Sequence, residues 1–377
     1  MDRKKRILII IPKLMGGGAE RVLINLLNQI DYTRYEIDLF IGVKGGILEK
    51  DIPKSVNVRF LFPHRFIEIL SSVLIRYWGI TVLFKIFGRK ISCNYDVGIS
   101  YLESYYSNFL FHNKGSINKR VIFIHSSPKT YSNKFKKYRG ESFRRLKKRF
   151  ENIDTIVSVS TEALVEFREL YGTYSDMRVI YNSMNIFDIL KKSKKHGDIK
   201  LDDKQINIIA VGSHIPVKGY EKLILACDIL KNENIPFNLK VLGEGKLKQI
   251  HQELIKTLDL TKYITLLGFV ENPYILLNNS DIFVMTSVAE GLPTSLCEAI
   301  ILGKPVIVTN VPGCREVIEN GKYGLLVDNT VPAIAEGLKL LILDKDQRHY
   351  YEQMAKERAK IFDDEITVKK YYDIFNL

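Results

Sequence analysis

The sequence predicts an α/β protein built from two doubly wound domains with parallel sheets, and three observations carry that expectation. Short apolar runs rich in β-branched residues alternate with helical stretches twice over, the signature of parallel βαβ units. A polar stretch, "KKSKKHGDIKLDDKQ" at 191–205, separates the two series and reads as an interdomain linker. At 377 residues the chain is too long for one ordinary core and fits two domains of roughly 150–200 residues each.

In chain order, "RILIIIP", "EIDLFIG", "VNVRFLF", "DVGISYL", "RVIFIHS" and "TIVSVST" read as strands of the first domain, residues 1–190. "INIIAVGS", "FNLKVLGE", "YITLLGF", "DIFVMTS", "KPVIVT" and "GLLV" read as strands of the second, residues 206–355. The tail, residues 356–377, is amphipathic and helical, and it is expected to pack back toward the first domain. There are no repeats at solenoid periods and no low-complexity tracts.

Composition narrows the function classes. Apolar content of 46% with 26% charged residues is globular. Cys93, Cys227, Cys297 and Cys314 are scattered without a Cys-x-x-Cys pair. This speaks against a zinc site or a disulfide framework and suits a reducing cytosol. The opening "MDRKKRILIIIPKL" has an apolar run of only about five residues, short of the ~7–15 of a signal peptide, and reads as a buried first strand. Residues 1–190 hold 31 Lys and Arg against 18 Asp and Glu, whereas residues 191–377 hold 25 against 25. The whole excess of +13 therefore sits in the first half, and it points to an anionic surface as partner.

Two stretches bear on membranes. "FIEILSSVLIRYWGITVLFKIFG" (66–88) is long enough to span, but Glu68, Arg76 and Lys85 would each be costly in hydrocarbon. An interfacial or groove-lining helix pair is the expectation. "KKYRGESFRRLKKRF" (136–150) is a basic stretch with interleaved aromatics, expected as a helix lying on anionic lipid. A solvated helical face has the same pattern. Nucleic acid would match the charge too, but no nucleic-acid motif accompanies it.

The motifs that could carry chemistry lie at strand ends, where doubly wound folds bind ligands. After "DIFVMTS", the turn Ala289–Pro293 opens a helix near Thr294, and Glu290 and Glu298 stand on either side of that opening. Amides at a helix start attract phosphate. Glu298, one turn in, is a residue type suited to a vicinal diol such as a ribose. "VGSHIPVKGYEKLI" (211–224) puts Lys218 in a strand-to-helix loop, with Gly212 and Gly219 permitting close approach. "PKLMGGGAERV" repeats the strand–glycine–helix pattern at the N-terminus, although it is not Gly-x-Gly-x-x-Gly. Taken singly, each has an ordinary meaning: a helix cap, an exposed lysine, a tight turn.

Together, "GGGAERV", "FIHSSP" with His125, "VSVST", "YNSMN" with Asn182, "VGSHIPVKG", "LGEG", "LLGFVENP", "EGLPTSLCE" and "VPGCREVIENGKYGLLV" closely resemble the retaining glycosyltransferases of family 4, over nearly the whole chain. The Glu-x7-Glu element, Glu290 to Glu298, is the most specific. The resemblance implies the GT-B fold, two Rossmann-like domains facing across a cleft. It implies that Glu298 holds the donor ribose, that Glu290 meets the donor sugar, and that Lys218 with the Gly291, Leu292, Pro293, Thr294 and Ser295 backbone binds the diphosphate. It places Gly212 near the phosphates and Val270 at the base. Gly17 and Gly18 would close on the phosphates, Glu20 would face the acceptor, and His125 would approach the reacting carbon.

One departure stands out: many relatives carry arginine where this chain has Ser213, followed by His214, so Lys218 would need another base such as Arg315. The chemistry implied is transfer of a hexose or N-acetylhexosamine from a nucleoside-diphosphate sugar, UDP-linked in the family pattern, to a hydroxyl of a lipid-linked saccharide. Neither a metal nor a separate cofactor is implied. Asp344 and Asp346, the one Asp-x-Asp, lie far from the motifs. The basic, apolar first half suits an enzyme of capsule or surface polysaccharide synthesis, peripheral on the inner membrane face. Rival readings are a nucleotide-sugar epimerase of the same architecture, a catalytically silent partner subunit, and a dinucleotide oxidoreductase, the last disfavoured by the missing fingerprint.

Overall fold

The computed structural model describes residues 3–129, 137–138, 141–195, 201, 204–362 and 364–377. The chain divides into two compact units: Met1–Ser183 with Asp364–Leu377, and Met184–Asp363.

The first unit is built on β1 (Lys5–Ile11), β2 (Tyr35–Ile41), β3 (Asn57–Phe60), β4 (Tyr95–Ser100), β5 (Ile117–Ile124), a two-residue antiparallel ladder of β6 (Lys137–Tyr138) with β7 (Glu141–Ser142), β8 (Thr155–Ser158) and β9 (Met177–Val179). Its seven-stranded sheet runs β3-β2-β1-β4-β5-β8-β9, every pairing parallel, with Ile7 beside Ile37 and Val97. Successive side chains of a strand point to opposite faces, so "ILIII" feeds two cores at once. Ile7, Ile9 and Ile11 pack with the helix Gly18–Leu27 and with Tyr371, Ile374 and Phe375. Leu8 and Ile10 pack on the other face with Phe40, Phe62, Phe84 and Phe109.

The final helix, Asp364–Phe375, belongs to this first unit. Tyr371 stacks on Phe123 at 5.4 Å and Tyr372 on Tyr35 at 5.1 Å, while the Asp31 amide donates to the Tyr372 hydroxyl at 2.9 Å.

The second unit carries β10 (Ile206–Val211), β11 (Phe237–Leu242), β12 (Ile264–Gly268), β13 (Ile282–Met285), β14 (Val306–Thr309) and β15 (Leu325–Val327) in the order β12-β11-β10-β13-β14-β15, again all parallel. The order reverses at β10, and this switch point brings the loop after β10 beside the loop after β13.

Several expectations shift. The crossing between units lies at 183/184, not within 191–205. The helix Ile186–Ser193 buries Ile189 and is tied into the second unit by Asn272, whose side-chain amide donates to the Lys192 carbonyl at 3.0 Å. Among the described residues of 191–205, Lys191, Lys194, Lys195 and Lys204 are exposed and Ser193 is buried. β9 was not expected, because "MRV" is too short and too polar to show a strand period; it exists by pairing with β8. The basic helix is confined to Phe143–Phe150, and Lys134, Lys136 and Arg139 lie outside the described residues.

Residues 66–88 form the helix Arg65–Val73, a π-helical turn Leu74–Trp78 and the helix Val82–Gly88. Glu68 is turned inward and accepts the Tyr105 hydroxyl at 2.6 Å. Among the described residues no helix is long and apolar enough to cross a membrane. Asp344 caps the helix Lys345–Arg358 by accepting the Gln347 amide at 2.9 Å, which gives the Asp-x-Asp a structural use.

Candidate active site

In the second unit the site is assembled from three loops at the carboxyl ends of the strands. Beyond β10, Gly212 bonds back to the Leu242 carbonyl at 2.9 Å and a single 3₁₀ turn, Pro216–Lys218, presents the lysine. The turn is stopped by Gly219 at φ +65°, a left-handed conformation that side chains resist. A Cβ at Gly219 would stand 2.1 Å from the Thr286 carbonyl oxygen, so this position must be glycine for the loops after β10 and β13 to touch. They are laced together: the Thr286 hydroxyl donates to the Lys218 carbonyl at 3.1 Å, and the Val288 amide to the Val217 carbonyl at 2.8 Å.

That lacing fixes Lys218 against Glu290. The ammonium lies 2.7 Å from Glu290 Oε1, and the Ser287 hydroxyl donates to the same oxygen at 2.6 Å. Both charged side chains are mostly buried. A partly desolvated pair of this kind holds its geometry better than a surface pair, which is worth little. The Glu290 and Gly291 carbonyls abut Gly313 from the β14 loop; a Cβ at Gly313 would meet the Gly291 oxygen at 2.4 Å.

The helix Thr294–Ile301 follows Pro293 as expected, and its intrahelical bonds begin with the Leu296 and Cys297 amides to the Pro293 carbonyl. The Thr294 and Ser295 amides precede those bonds and have no carbonyl within the helix to take them. Ser295 fastens this helix start to the end of β10, its hydroxyl donating to the Val211 carbonyl at 3.1 Å. One turn along, Glu298 is buried and accepts the Tyr274 hydroxyl at 3.1 Å. Leu292 is buried, while Val270 is partly exposed on the segment following β12. Tyr274, Ser287 and Thr286 were not singled out from sequence. Nothing in their local pattern marks them, because each acts through a partner distant in the chain.

The position where arginine was expected is resolved. Ser213 is exposed, and His214 is fully buried with its Nδ1 2.8 Å from His251 Nδ1. Burial, aided by His251 and Lys248, pulls His214 down to about 4, so it is neutral near pH 7 and supplies no cation. Arg315, partly exposed, donates to the Asn310 side chain at 2.9 Å. The thiol of Cys314 is pushed well above its ordinary range, first by burial and then by Glu290, with Lys218 and Arg315 opposing. Buried and held in its thiol form, Cys314 is no nucleophile.

In the first unit, described by itself, the triple-glycine loop folds onto Glu20. Its Oε2 accepts the Gly16 amide at 2.8 Å and the Gly17 amide at 3.1 Å, and burial raises its pKa despite those bonds. As the third residue of its helix, Glu20, expected to face the acceptor, reaches back to cap its own loop, and the Gly17 amide is engaged, with Gly18 opening the helix. His125 follows β5, its ring 4.8 Å from that of Tyr101. Its amide donates to Glu103 Oε2 at 2.9 Å, and Ser126 donates to Glu103 Oε1. Glu103, almost wholly buried, orients this turn and was not foreseen, since a lone acid after a strand carries no signal.

The model of glycosyltransferase family 4 matches residues 16–186, and that of glycosyl transferases group 1 matches residues 191–358. The chain belongs to the family 4 glycosyltransferases and has the GT-B fold. It is a transferase enzyme.

Among curated relatives of this glycosyltransferase is an N-acetylgalactosamine-N,N'-diacetylbacillosaminyl-diphospho-undecaprenol 4-alpha-N-acetylgalactosaminyltransferase of Campylobacter jejuni. It is 35% identical over 187 residues, 49% of either chain. A putative colanic acid biosynthesis glycosyltransferase, WcaL of Salmonella typhimurium, is 31% identical over 152 residues, 38% of this chain and 37% of that one. The match therefore spans half or less of these two relatives. Among solved structures, Anabaena Alr3699/HepE in complex with UDP-glucose has a TM-score of 0.75 at 20% identity, covering 98% of this chain and 99% of that one. At that identity the likeness concerns the fold.

Proposed function

We propose that this glycosyltransferase moves a hexose or N-acetylhexosamine from a UDP-sugar to a hydroxyl of a lipid-linked saccharide, with retention at the anomeric carbon, in surface polysaccharide synthesis. The observation that carries the reading is the Lys218–Glu290 pair, 2.7 Å apart beside a helix start that is bolted to β10, with Glu298 one turn further in. These groups match the parts of a nucleotide sugar in order. The buried Glu298 carboxylate, steadied by Tyr274, suits the two ribose hydroxyls. The helix start and Lys218 suit the diphosphate, and Glu290 suits the sugar hydroxyls.

On donor binding the ammonium exchanges part of its bond to Glu290 for phosphate oxygen, leaving the carboxylate free to accept from the sugar. As the bond from the anomeric carbon to the phosphate oxygen breaks, negative charge grows on the diphosphate beside Lys218 and the first helical amides. Preorganised donors of this kind are worth about 3 kcal/mol each. In this scheme attack is from the front face, and the departing phosphate takes the acceptor proton. To Arg315, in the helix Pro312–Val317 after β14, we assign the cationic part that Ser213 cannot play. No metal or separate cofactor enters this scheme.

The acceptor class is supported by the Campylobacter relative, whose name specifies a diphospho-undecaprenol acceptor, and by the WcaL relative of colanic acid synthesis. The basic first half supports work at the inner membrane face. Hydrolysis and transfer measured across a panel of nucleotide sugars test the proposal. Glu298→Ala is expected to raise donor KM and Lys218→Ala to lower kcat. Native kinetics in both variants would remove the site assignment, and conversion of donor without acceptor into an epimer would replace the reaction.

A further inference from the structure

Among the described residues of the first unit, most of the large apolar side chains left exposed lie between residues 66 and 86. Phe66 is 75% exposed, Tyr77 68% and Trp78 63%, and Ile69, Leu70, Ile80, Val82 and Ile86 are exposed beside them in the chain. A monomeric protein rarely leaves so many large apolar side chains together in water. The π-helical turn Leu74–Trp78, closed by Gly79 at φ +71°, is what turns the Tyr77–Trp78 pair outward, their rings 6.2 Å apart.

The charge around this face has one sign. Between Arg65 and Lys90 the charged residues are Arg65, Arg76, Lys85, Arg89 and Lys90 against one acid, Glu68, and that acid is buried on Tyr105. The basic helix Phe143–Phe150 abuts the same turn, with Arg145 Nη1 donating to the Ile75 carbonyl at 2.8 Å. Between them opens a cavity of about 480 Å³ lined in part by Arg145, Lys148, Arg149, His112, Asn108 and Asn152, with no acid in its lining.

We propose that this face docks the enzyme on an anionic phospholipid bilayer, with Phe66, Tyr77 and Trp78 inserted at the headgroup level and a lipid phosphate seated in the cationic cavity. Tyr77 and Trp78, each with one apolar and one polar end, suit that depth, Phe66 adds apolar surface, and basic residues add attraction to anionic lipid. The proposal deepens the membrane reading above and rests on it for the bilayer as partner.

Trp78 is the sole tryptophan, so its emission reports this face alone. The full chain is mixed with phosphatidylglycerol-containing vesicles, with and without bromine on the acyl chains, and with phosphatidylcholine vesicles. Flotation with anionic vesicles is expected, with a blue shift of Trp78 emission and its quenching by brominated chains, and neither with phosphatidylcholine. The double variants Phe66→Ser/Ile69→Ser and Lys147→Glu/Lys148→Glu should each weaken vesicle affinity about tenfold or more. Their unchanged melting temperatures and lipid-free emission confirm the fold. Flotation without any change at Trp78, native affinity in the Phe66 variant, or no flotation would each overturn the proposal. Donor hydrolysis in vesicle-free buffer is read in parallel. Hydrolysis retained while insertion fails sinks the docking face alone, and hydrolysis lost while insertion holds sinks the transferase reading alone.

Discussion

Gly219→Ala is the sharpest test of how the fold makes the site. The residue sits at φ +65°, where a side chain costs about 1–2 kcal/mol. The new Cβ would lie 2.1 Å from the Thr286 carbonyl oxygen, so the loops after β10 and β13 must part by about 1 Å to restore contact distance. Parting them strains the Thr286 hydroxyl bonds to Lys218 and Gly219 at 3.1 and 3.2 Å and the Val288 amide bond at 2.8 Å. Losing one or two of these adds about 1 kcal/mol each. The sum is about 3 kcal/mol, which for a unit of this size lowers its calorimetric melting temperature by roughly 6–12 °C. Because Lys218 precedes the glycine, it moves with the loop, and a displacement of about 1 Å in a positioning group costs up to ~100-fold in turnover. Gly219→Asn discriminates between the two terms: asparagine tolerates the left-handed conformation but carries the same Cβ, and should recover less than about 1 kcal/mol. An alanine variant that melts within a degree of the native protein and hydrolyses donor normally would refute the reasoning.

Other outcomes follow from the same geometry. Tyr274→Phe, which removes the hydroxyl at 3.1 Å from Glu298, should raise donor KM on the order of 10- to 100-fold with kcat little changed, since one hydrogen bond to a charged group is worth about 1.5–3 kcal/mol; a fall in kcat alone would reassign Glu298. Phe375→Ala, at a fully buried position against Tyr35, should destabilise the first unit by about 3–5 kcal/mol in urea titrations, and a loss below 1 kcal/mol would mean the final helix does not seal that core. His214 has a folded pKa of about 4 against an unfolded value near 6.5, so the unfolded state takes up the proton first as pH falls. Its contribution to stability is intact above pH 6.5 and drains away between there and about 4; an NMR titration of His214 near 6.5 would contradict this. Glu103→Gln should lower kcat by loosening the turn that carries His125, with donor affinity retained, and an unchanged kcat would make that turn structural only.

What the residues announced in advance were features with a local period or a dense motif. Strands such as "RILIIIP" show themselves because a strand buried on both faces must be apolar throughout, and Glu290, Glu298 and Lys218 because glycine- and proline-rich turns surround them. The helix opening at Thr294 was legible for the same reason, and so were the two domains. Tertiary structure decided what depends on contact between distant segments: the crossing at 183/184, the pairing of β9, the inward turn of Glu68 onto Tyr105, and the return of Glu20 to Gly16 and Gly17. It also decided that His214 is a neutral core residue and not a substitute cation, since burial, not identity, sets whether an imidazole carries charge. Sequence encodes propensity and period over a few residues, whereas desolvation and hydrogen-bond partnership arise only when the chain brings separate loops to the same point.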